Sequence, residues 1–136
     1  MLSTPQTILA VEALLCLPFL IMGISHLAQP RMWDDVFERL AQEGHAGVVK
    51  RSFLFELWPA ILIVTFHQDW TFPGLFLTLY GHALAVKVTV SLVAPNIGLR
   101  SIEMPKTFGR KSFVPAGIVL CAMGFFCAMH VLGIWI

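Results

Sequence analysis

The chain has 136 residues, of which 57% are hydrophobic and 12% are charged, and its formal net charge is +1. With a mean hydropathy of +0.79, this composition is too apolar for a soluble domain and indicates an integral membrane protein. Its even balance of acidic and basic residues offers no basic face for nucleic acid, so nucleic acid is not expected as a partner.

Four apolar segments are long enough to cross a bilayer as helices. A hydrocarbon core about 30 Å thick requires roughly 20 helical residues, and no segment remains for a separate soluble domain. We therefore predict an all-α fold in which residues 1–136 form a single transmembrane domain, an up-down four-helix bundle. The predicted spans cover about residues 7–27, 50–67, 71–94 and 113–136.

The first span follows the N-terminal sequence MLSTPQTILAVEALLCLPFL. This stretch lacks a basic leading region and places Glu12 early in its apolar run, so we expect a retained helix and not a cleaved signal peptide. Pro18 in this span and Pro59 in the second span predict bends, because proline removes one bond from the helical ladder.

Between the first two spans, the segment RMWDDVFERLAQEG has the period of an amphipathic helix. Its apolar stripe consists of Met32, Trp33, Val36, Phe37 and Leu40. We predict a short helix in the membrane surface that starts near Pro30, with Trp33 at the depth of the lipid headgroups. A binding site for a cytosolic partner is an alternative interpretation of the same helix.

Basic residues predict the topology of the chain. Of its nine Lys and Arg residues, eight lie in two connectors, namely Arg31, Arg39, Lys50 and Arg51 in residues 28–52 and Arg100, Lys106, Arg110 and Lys111 in residues 95–112. By the positive-inside rule both connectors are cytoplasmic. We therefore expect an inner-membrane protein with both termini on the periplasmic or outer side. The turn HQDWTF also faces outward, which makes His67 and Trp70 interfacial residues.

The second connector, residues 95–112, is predicted to be a loop or a short interfacial turn, because it contains glycines and prolines and shows no clear period. The fourth span then places small residues at spacings that favour close contact with another helix. These residues are Gly117, Cys121, Gly124 and Ala128.

Lys87 lies in the third span, within the apolar run TLYGHALAVKVTVSLVAP. A charged side chain at bilayer depth costs a few kcal/mol and requires a partner or a wet cavity. The second and third spans are joined by a short turn and should be antiparallel neighbours, so we predict an ion pair between Lys87 and Glu56. His26 is close enough in depth to join this pair. His82, about 140° around the helix from Lys87, completes the predicted inner polar site.

Glu12 and His130 form a predicted second polar layer, nearer the outer side. The first and last helices of an up-down bundle are neighbours, so these two side chains are expected to share a proton or a hydrogen bond. Both layers also have a purely structural interpretation, because buried ion pairs can serve only to fix the register of helices.

No metal site or bound cofactor is predicted. Cys127 and His130 supply only two ligands at helical spacing, which is too few for zinc or copper. Haem requires two histidines at similar depth, whereas His82 and His130 differ in depth by about 7 Å. A quinone and a haem are the cofactor alternatives.

The first half of the chain resembles the DoxX-like small membrane proteins. The resemblance is carried by MGISHL at residues 22–27, by Pro30, by Gly47 and by Glu56 in the second span. His26 stands where those proteins more usually have a lysine. The resemblance implies a compact four-helix bundle and, for some members, a link to quinone-dependent sulfur oxidation or to membrane redox complexes.

These observations favour a small non-catalytic protein, either an accessory subunit or a binding module of a larger membrane complex. Its expected partners are membrane lipids and other membrane subunits or further copies of itself. One alternative is a quinone-linked or lipid-linked oxidoreductase that uses the inner polar site. A second alternative is an oligomeric proton-coupled transporter that uses both polar layers.

Overall fold

The computed structural model describes residues 3–108 and 112–134, and all regular secondary structure within these residues is helical. This confirms the predicted all-α class. The elements are α1 (Pro5–Ala28), α2 (Pro30–Gln42), α3 (His45–Arg51), a π-helical turn (Ser52–Leu57), α4 (Trp58–Phe66), α5 (Leu75–Val93), α6 (Pro95–Phe108) and α7 (Phe113–Val131).

Three helices begin at a proline, namely Pro5, Pro30 and Pro95. Proline suits the first helical position because its φ is already helical and its missing N–H would have no partner there. α2 starts at Pro30, only two residues after the end of α1. The backbone leaves the helical conformation at Gln29 between them. The predicted amphipathic helix between the first two spans is therefore present.

α1, α5 and α7 are each long and apolar enough to cross a membrane. The second predicted span is also helical without interruption, from His45 to Phe66, but it is built from α3, the π-helical turn and α4. Pro59 explains the wider turn: it has no N–H for the carbonyl four residues earlier, so the preceding residues are free to take the i→i+5 pattern.

α1 and α7 pack closely against each other in antiparallel directions. Gly23 faces Gly117 and Cys121, and Gly124 faces Leu20. A Cβ atom placed on Gly23 would lie 2.6 Å from the backbone nitrogen of Cys121, so only glycine allows this approach. The predicted small-residue surface of the fourth span is thus confirmed as a helix contact.

α4 and α5 are antiparallel neighbours, as the short turn between them predicts. Gly81 of α5 lies against Ile63 of α4, where a Cβ atom would meet the isoleucine side chain. The main core lies between α1, α4, α5 and α7. Its buried members are Val11, Leu15, Phe19, Ile63, Leu77, Met123 and Cys127.

The prediction of a loop or turn over residues 95–112 is wrong, because α6 occupies Pro95–Phe108. α6 packs on α2 and α3 through a second core of Leu40, Val48 and Ile102. A Cβ atom placed on Gly98 would lie 2.6 Å from Val48 Cγ1 and 3.1 Å from Ser91, so this glycine allows a close helix contact and does not form a loop. Residues 109–111 of the predicted connector lie outside the described residues.

We expect Gly23→Ala to destabilise the protein, although the same change in an isolated helix stabilises it by about 1 kcal/mol. The new methyl group must push α7 away from α1, and such overpacking costs about 1 to 3 kcal/mol. Thermal unfolding in detergent should therefore give a lower Tm for the variant. An unchanged or higher Tm would contradict the close approach of the two helices.

Candidate functional site

The predicted ion pair between the second and third spans is present. Lys87 Nζ on α5 donates to Glu56 Oε1 in the π-helical turn, at 2.5 Å. The Glu56 side chain is 9% exposed and the Lys87 side chain is 47% exposed. The carboxylate is therefore enclosed by protein, whereas the lysine reaches it from an open edge.

Arg51, which the sequence analysis counted only as a topology signal, belongs to the same cluster. Its side chain is 2% exposed, and its Nη1 and Nη2 donate to Ser101 Oγ at 3.0 Å and Ser91 Oγ at 3.2 Å. Its Nε lies 3.5 Å from Glu56 Oε1. The Glu56 carboxylate is thus shared by two cations, which both approach its Oε1.

The π-helical turn is the reason that Arg51 and Glu56 meet. On an α-helix, residues five apart point about 140° away from each other. The i→i+5 pattern of a π-helix instead places residues five apart above one another. The only sequence signal for this arrangement is Pro59, which permits the wider turn. α-helical periodicity therefore does not indicate that Arg51 lies beside Glu56.

Several polar atoms of this cluster are buried without a hydrogen-bond partner in the part of the chain that the structure describes. They are Arg51 Nε, Ser52 Oγ and Glu56 Oε2. Buried polar groups are nearly always paired, and exceptions often mark a functional site.

His26 lies nearby and is held in a defined orientation. Its Nδ1 donates to the carbonyl oxygen of Met22 at 2.7 Å, so in the neutral ring Nε2 is an acceptor. The ring stacks on Trp33, with centroids 4.2 Å apart. Trp33 Nε1 in turn donates to Ser25 Oγ at 2.9 Å.

Trp33 is buried within the protein, because it stacks on His26 and donates to Ser25 of α1. Its predicted depth at the lipid headgroups stays a prediction, and Met32 of the same stripe is exposed. The stripe that indicated a membrane-surface helix therefore packs partly against the protein itself.

His26, Trp33, Arg51, Glu56 and Lys87 all line one cavity of about 840 Å³. Its other lining residues are predominantly apolar and come from five elements, namely Leu17, Pro18, Phe19, Ile21 and Met22 of α1, Phe37 of α2, Leu54, Phe55, Trp58 and Pro59 of the second span, Tyr80 and Leu84 of α5, and Pro115, Ala116, Val119 and Leu120 of α7.

The mouth of this cavity opens on the side of the long helices. Leu17, Ile21, Leu54 and Val119 line the cavity and are also exposed on the outer surface. Phe19, Arg51 and Glu56 are buried at its inner end. The cavity therefore runs from an apolar mouth to a charged end.

His82 does not join this cavity, contrary to the predicted grouping with Glu56 and Lys87. Its Nδ1 lies 2.9 Å from the carbonyl oxygen of Thr78, and its ring contacts Trp70, with centroids 5.5 Å apart. The angular separation of His82 from Lys87 places it on another face of α5. Trp70, predicted to be interfacial, is exposed in the turn.

The second polar layer contains the predicted pair and one further residue. Both Glu12 and His67 are fully buried. Glu12 Oε2 accepts from His130 Nδ1 at 2.5 Å, and Glu12 Oε1 accepts from His67 Nε2 at 2.9 Å. His67 Nδ1 lies 3.1 Å from Thr78 Oγ1.

His67 is therefore buried within the protein at the end of the second span, and its depth at the membrane interface stays a prediction. α4 ends at Phe66, and His67 leaves the helical conformation with φ −111° and ψ 80°. His67 follows Ile63 by four residues and Ala60 by seven, and both of these are buried. Helical spacing therefore places His67 on the buried face of the second span, where its imidazole contacts Glu12.

Within the described residues, no three His, Cys, Asp or Glu side chains are grouped in a way that would hold a metal ion. Comparison of the chain with protein-family models, with curated proteins and with solved structures found no match. The candidate site is thus defined by its own geometry.

Glu56→Gln should destabilise the protein more than Lys87→Met does. The first change leaves the buried Arg51 without a counter-charge, which costs about 3 kcal/mol. The second leaves Glu56 paired with Arg51 and removes a partly exposed cation, which costs about 1 kcal/mol. The free energy of unfolding is measured by denaturant titration in mixed micelles.

The matched control for this comparison is Glu43→Gln, which breaks an exposed ion pair with Lys50. We expect a change of less than about 0.5 kcal/mol for this variant. If Lys87→Met costs as much as Glu56→Gln, Arg51 does not depend on the carboxylate in the way that the geometry indicates.

Proposed function

We propose that the protein is a non-catalytic binding module of the inner membrane that holds an amphiphile in the lateral cavity. The observation that carries this proposal is the polarity of the cavity, which has an apolar mouth on the helix flanks and a charged inner end. An amphiphile in the bilayer has an apolar tail that matches the mouth and a polar head that matches the inner end.

A four-span arrangement in the membrane is part of this proposal. It is supported by three helices that are long and apolar enough to span a bilayer and by a second predicted span that is helical throughout. It is also supported by exposed apolar side chains along all of these helices, including Leu17, Ile61, Val86 and Phe125. Such side chains favour lipid contact over water.

The proposed orientation has both termini on the outer side. α2 and α6, which belong to the two basic connectors, pack together at one end of the bundle. The positive-inside rule then assigns that end to the cytoplasm. In this orientation the charged end of the cavity lies toward the cytoplasmic leaflet, where anionic lipids give a negative surface potential.

Entry from the bilayer is supported by the position of the mouth. Leu17 and Ile21 lie along the middle of α1 and not at either end, so a ligand that enters between α1 and the second span passes only through apolar surroundings. The volume of about 840 Å³ is in the range of known small-molecule sites, about 300 to 1,000 Å³.

A quinone is a second ligand class for the same cavity. Trp33, Phe55 and Tyr80 line it, and aromatic side chains favour stacking with a flat ring. A quinone-linked oxidoreductase would require an electron donor, which a larger complex would supply. This alternative agrees with the proposed resemblance to DoxX-like proteins, some of which are linked to quinone-dependent sulfur oxidation or to membrane redox complexes.

The binding proposal is tested by filling the mouth of the cavity. Val119→Trp places a large side chain among the lining residues, whereas Ile118→Trp makes a similar change one residue away, outside the lining. Both positions are exposed on α7. Native mass spectrometry of protein released from membranes should show a bound amphiphile in the wild type and in Ile118→Trp, but not in Val119→Trp. Equal retention by both variants would contradict the proposed site.

A further inference from the structure

We infer that the amphiphile carries a single negative charge, as a phosphate diester or a carboxylate at the head of an acyl chain, and that Lys87 binds that charge. The inference rests on the proposed function, because it names the ligand class of the same cavity. It follows from the charges at the inner end of the cavity and from the hydrogen-bonding groups that remain free there.

Among the residues that the structure describes, the charged ones that line the cavity are Arg51, Glu56 and Lys87. Arginine remains protonated in proteins, and lysine paired with a carboxylate is an ammonium. Two cations and one carboxylate give a net charge of one positive unit. α1 contributes His26, whose neutral ring adds no charge, and the cavity-lining residues of α2 and α7 are uncharged.

An unbalanced charge at this depth is unfavourable, because little water is present to solvate it. Glu56 does not neutralise both cations, since its Oε1 is shared by Lys87 Nζ and Arg51 Nε while its Oε2 has no partner among the described residues. A ligand with one negative charge balances the site. A neutral ligand leaves one positive charge, and a dianion leaves one negative charge.

Lys87 is the group that reaches the ligand. Its ammonium has three N–H groups, and within residues 3–108 and 112–134 one of them is used, in the bond to Glu56. Its side chain is also 47% exposed and lines the cavity. Two donors are therefore available to an oxyanion, and charge-assisted hydrogen bonds of this kind are roughly twice as strong as neutral ones.

Arg51 is a positioning residue in this arrangement. Both of its Nη atoms are bound to serine hydroxyls, and the side chain is almost fully buried. Its Nε lies 3.5 Å from Glu56 Oε1, the oxygen that Lys87 also contacts. Lys87 and Arg51 therefore differ in role: Lys87 contacts the ligand, and Arg51 fixes the carboxylate that orients Lys87.

The rest of the cavity matches an acyl chain better than a large polar head. Apolar side chains from α1 and α7 line the path from the mouth inward, among them Leu17, Ile21, Val119 and Leu120. Burial of each methylene group in such surroundings contributes about 0.8 kcal/mol. The acyl chain of the ligand supplies affinity, and the net charge of the site selects the headgroup.

The test uses four probes in equal amounts with the delipidated wild-type protein, read by native mass spectrometry. They are dioleoyl phosphatidylglycerol and oleate, which are anionic, dioleoyl phosphatidylcholine, which is zwitterionic, and dioleoylglycerol, which is neutral. We expect at least one anionic probe to occupy the protein about tenfold more than the other two classes. Preference for phosphatidylglycerol identifies a phosphate head, and preference for oleate identifies a carboxylate.

Variants of the protein then show which residue causes the preference for anionic probes. Lys87→Gln should abolish it while dioleoylglycerol binding persists, and Lys87→Arg should retain it. Lys50→Gln removes an equal charge from an exposed pair outside the cavity and should leave the preference unchanged. If Lys87→Gln does not fold, the occupancies of the four probes on the wild-type protein are the test.

Two results overturn the inference. One is equal occupancy by all four probes. The other is a preference that survives Lys87→Gln; if it is then lost in Lys50→Gln, surface charge is its source. In either case, loss of all binding in Val119→Trp leaves the proposed function intact. Binding that is insensitive to Val119→Trp removes the proposed function as well.

Discussion

The structure depends on one carboxylate that is shared by two cations within an apolar bundle. A buried charge is costly unless it is paired, and its partner must be held in good geometry to repay the loss of hydration. Glu56 meets this requirement for Lys87 on α5 and for Arg51 on α3. Arg51 extends the connection to α6 through Ser101. A single acidic side chain thereby links three helices at one end of the bundle.

The π-helical turn makes this sharing possible. Its i→i+5 pattern brings Arg51 and Glu56 to the same side of the second span, where α-helical geometry would separate them. Pro59, one turn later, removes the hydrogen bond that would otherwise favour a regular helix. π-helical turns are uncommon and frequently occur at functional sites. Here the turn both pairs the charges and forms one wall of the cavity.

The sequence predicted the parts of the fold that follow from hydropathy and from helix periodicity. The long helices, the small-residue contact of α7 and the Glu56–Lys87 pair all follow from residue type and regular helical spacing. The Glu12–His130 contact also follows, because the first and last helices are neighbours.

What the sequence did not predict depends on local departures from regular helices. Arg51 enters the cluster through a π-helical turn, which regular helical spacing does not indicate. α6 was missed because Gly98 and Pro95 are typical of loops, although here one allows close packing and the other starts a helix. Trp33 is buried because α2 folds back onto α1, a tertiary contact that an amphipathic pattern does not distinguish from membrane contact.

The most direct test of the shared carboxylate is a solid-state NMR distance measurement in lipid bilayers. Protein labelled with ¹⁵N at lysine Nζ and ¹³C at glutamate Cδ is prepared with Glu43→Gln, which removes the exposed ion pair to Lys50. The account predicts strong ¹⁵N–¹³C dipolar dephasing that disappears when Lys87→Met is added. Dephasing that is absent, or unaffected by Lys87→Met, would contradict direct contact between Lys87 and Glu56.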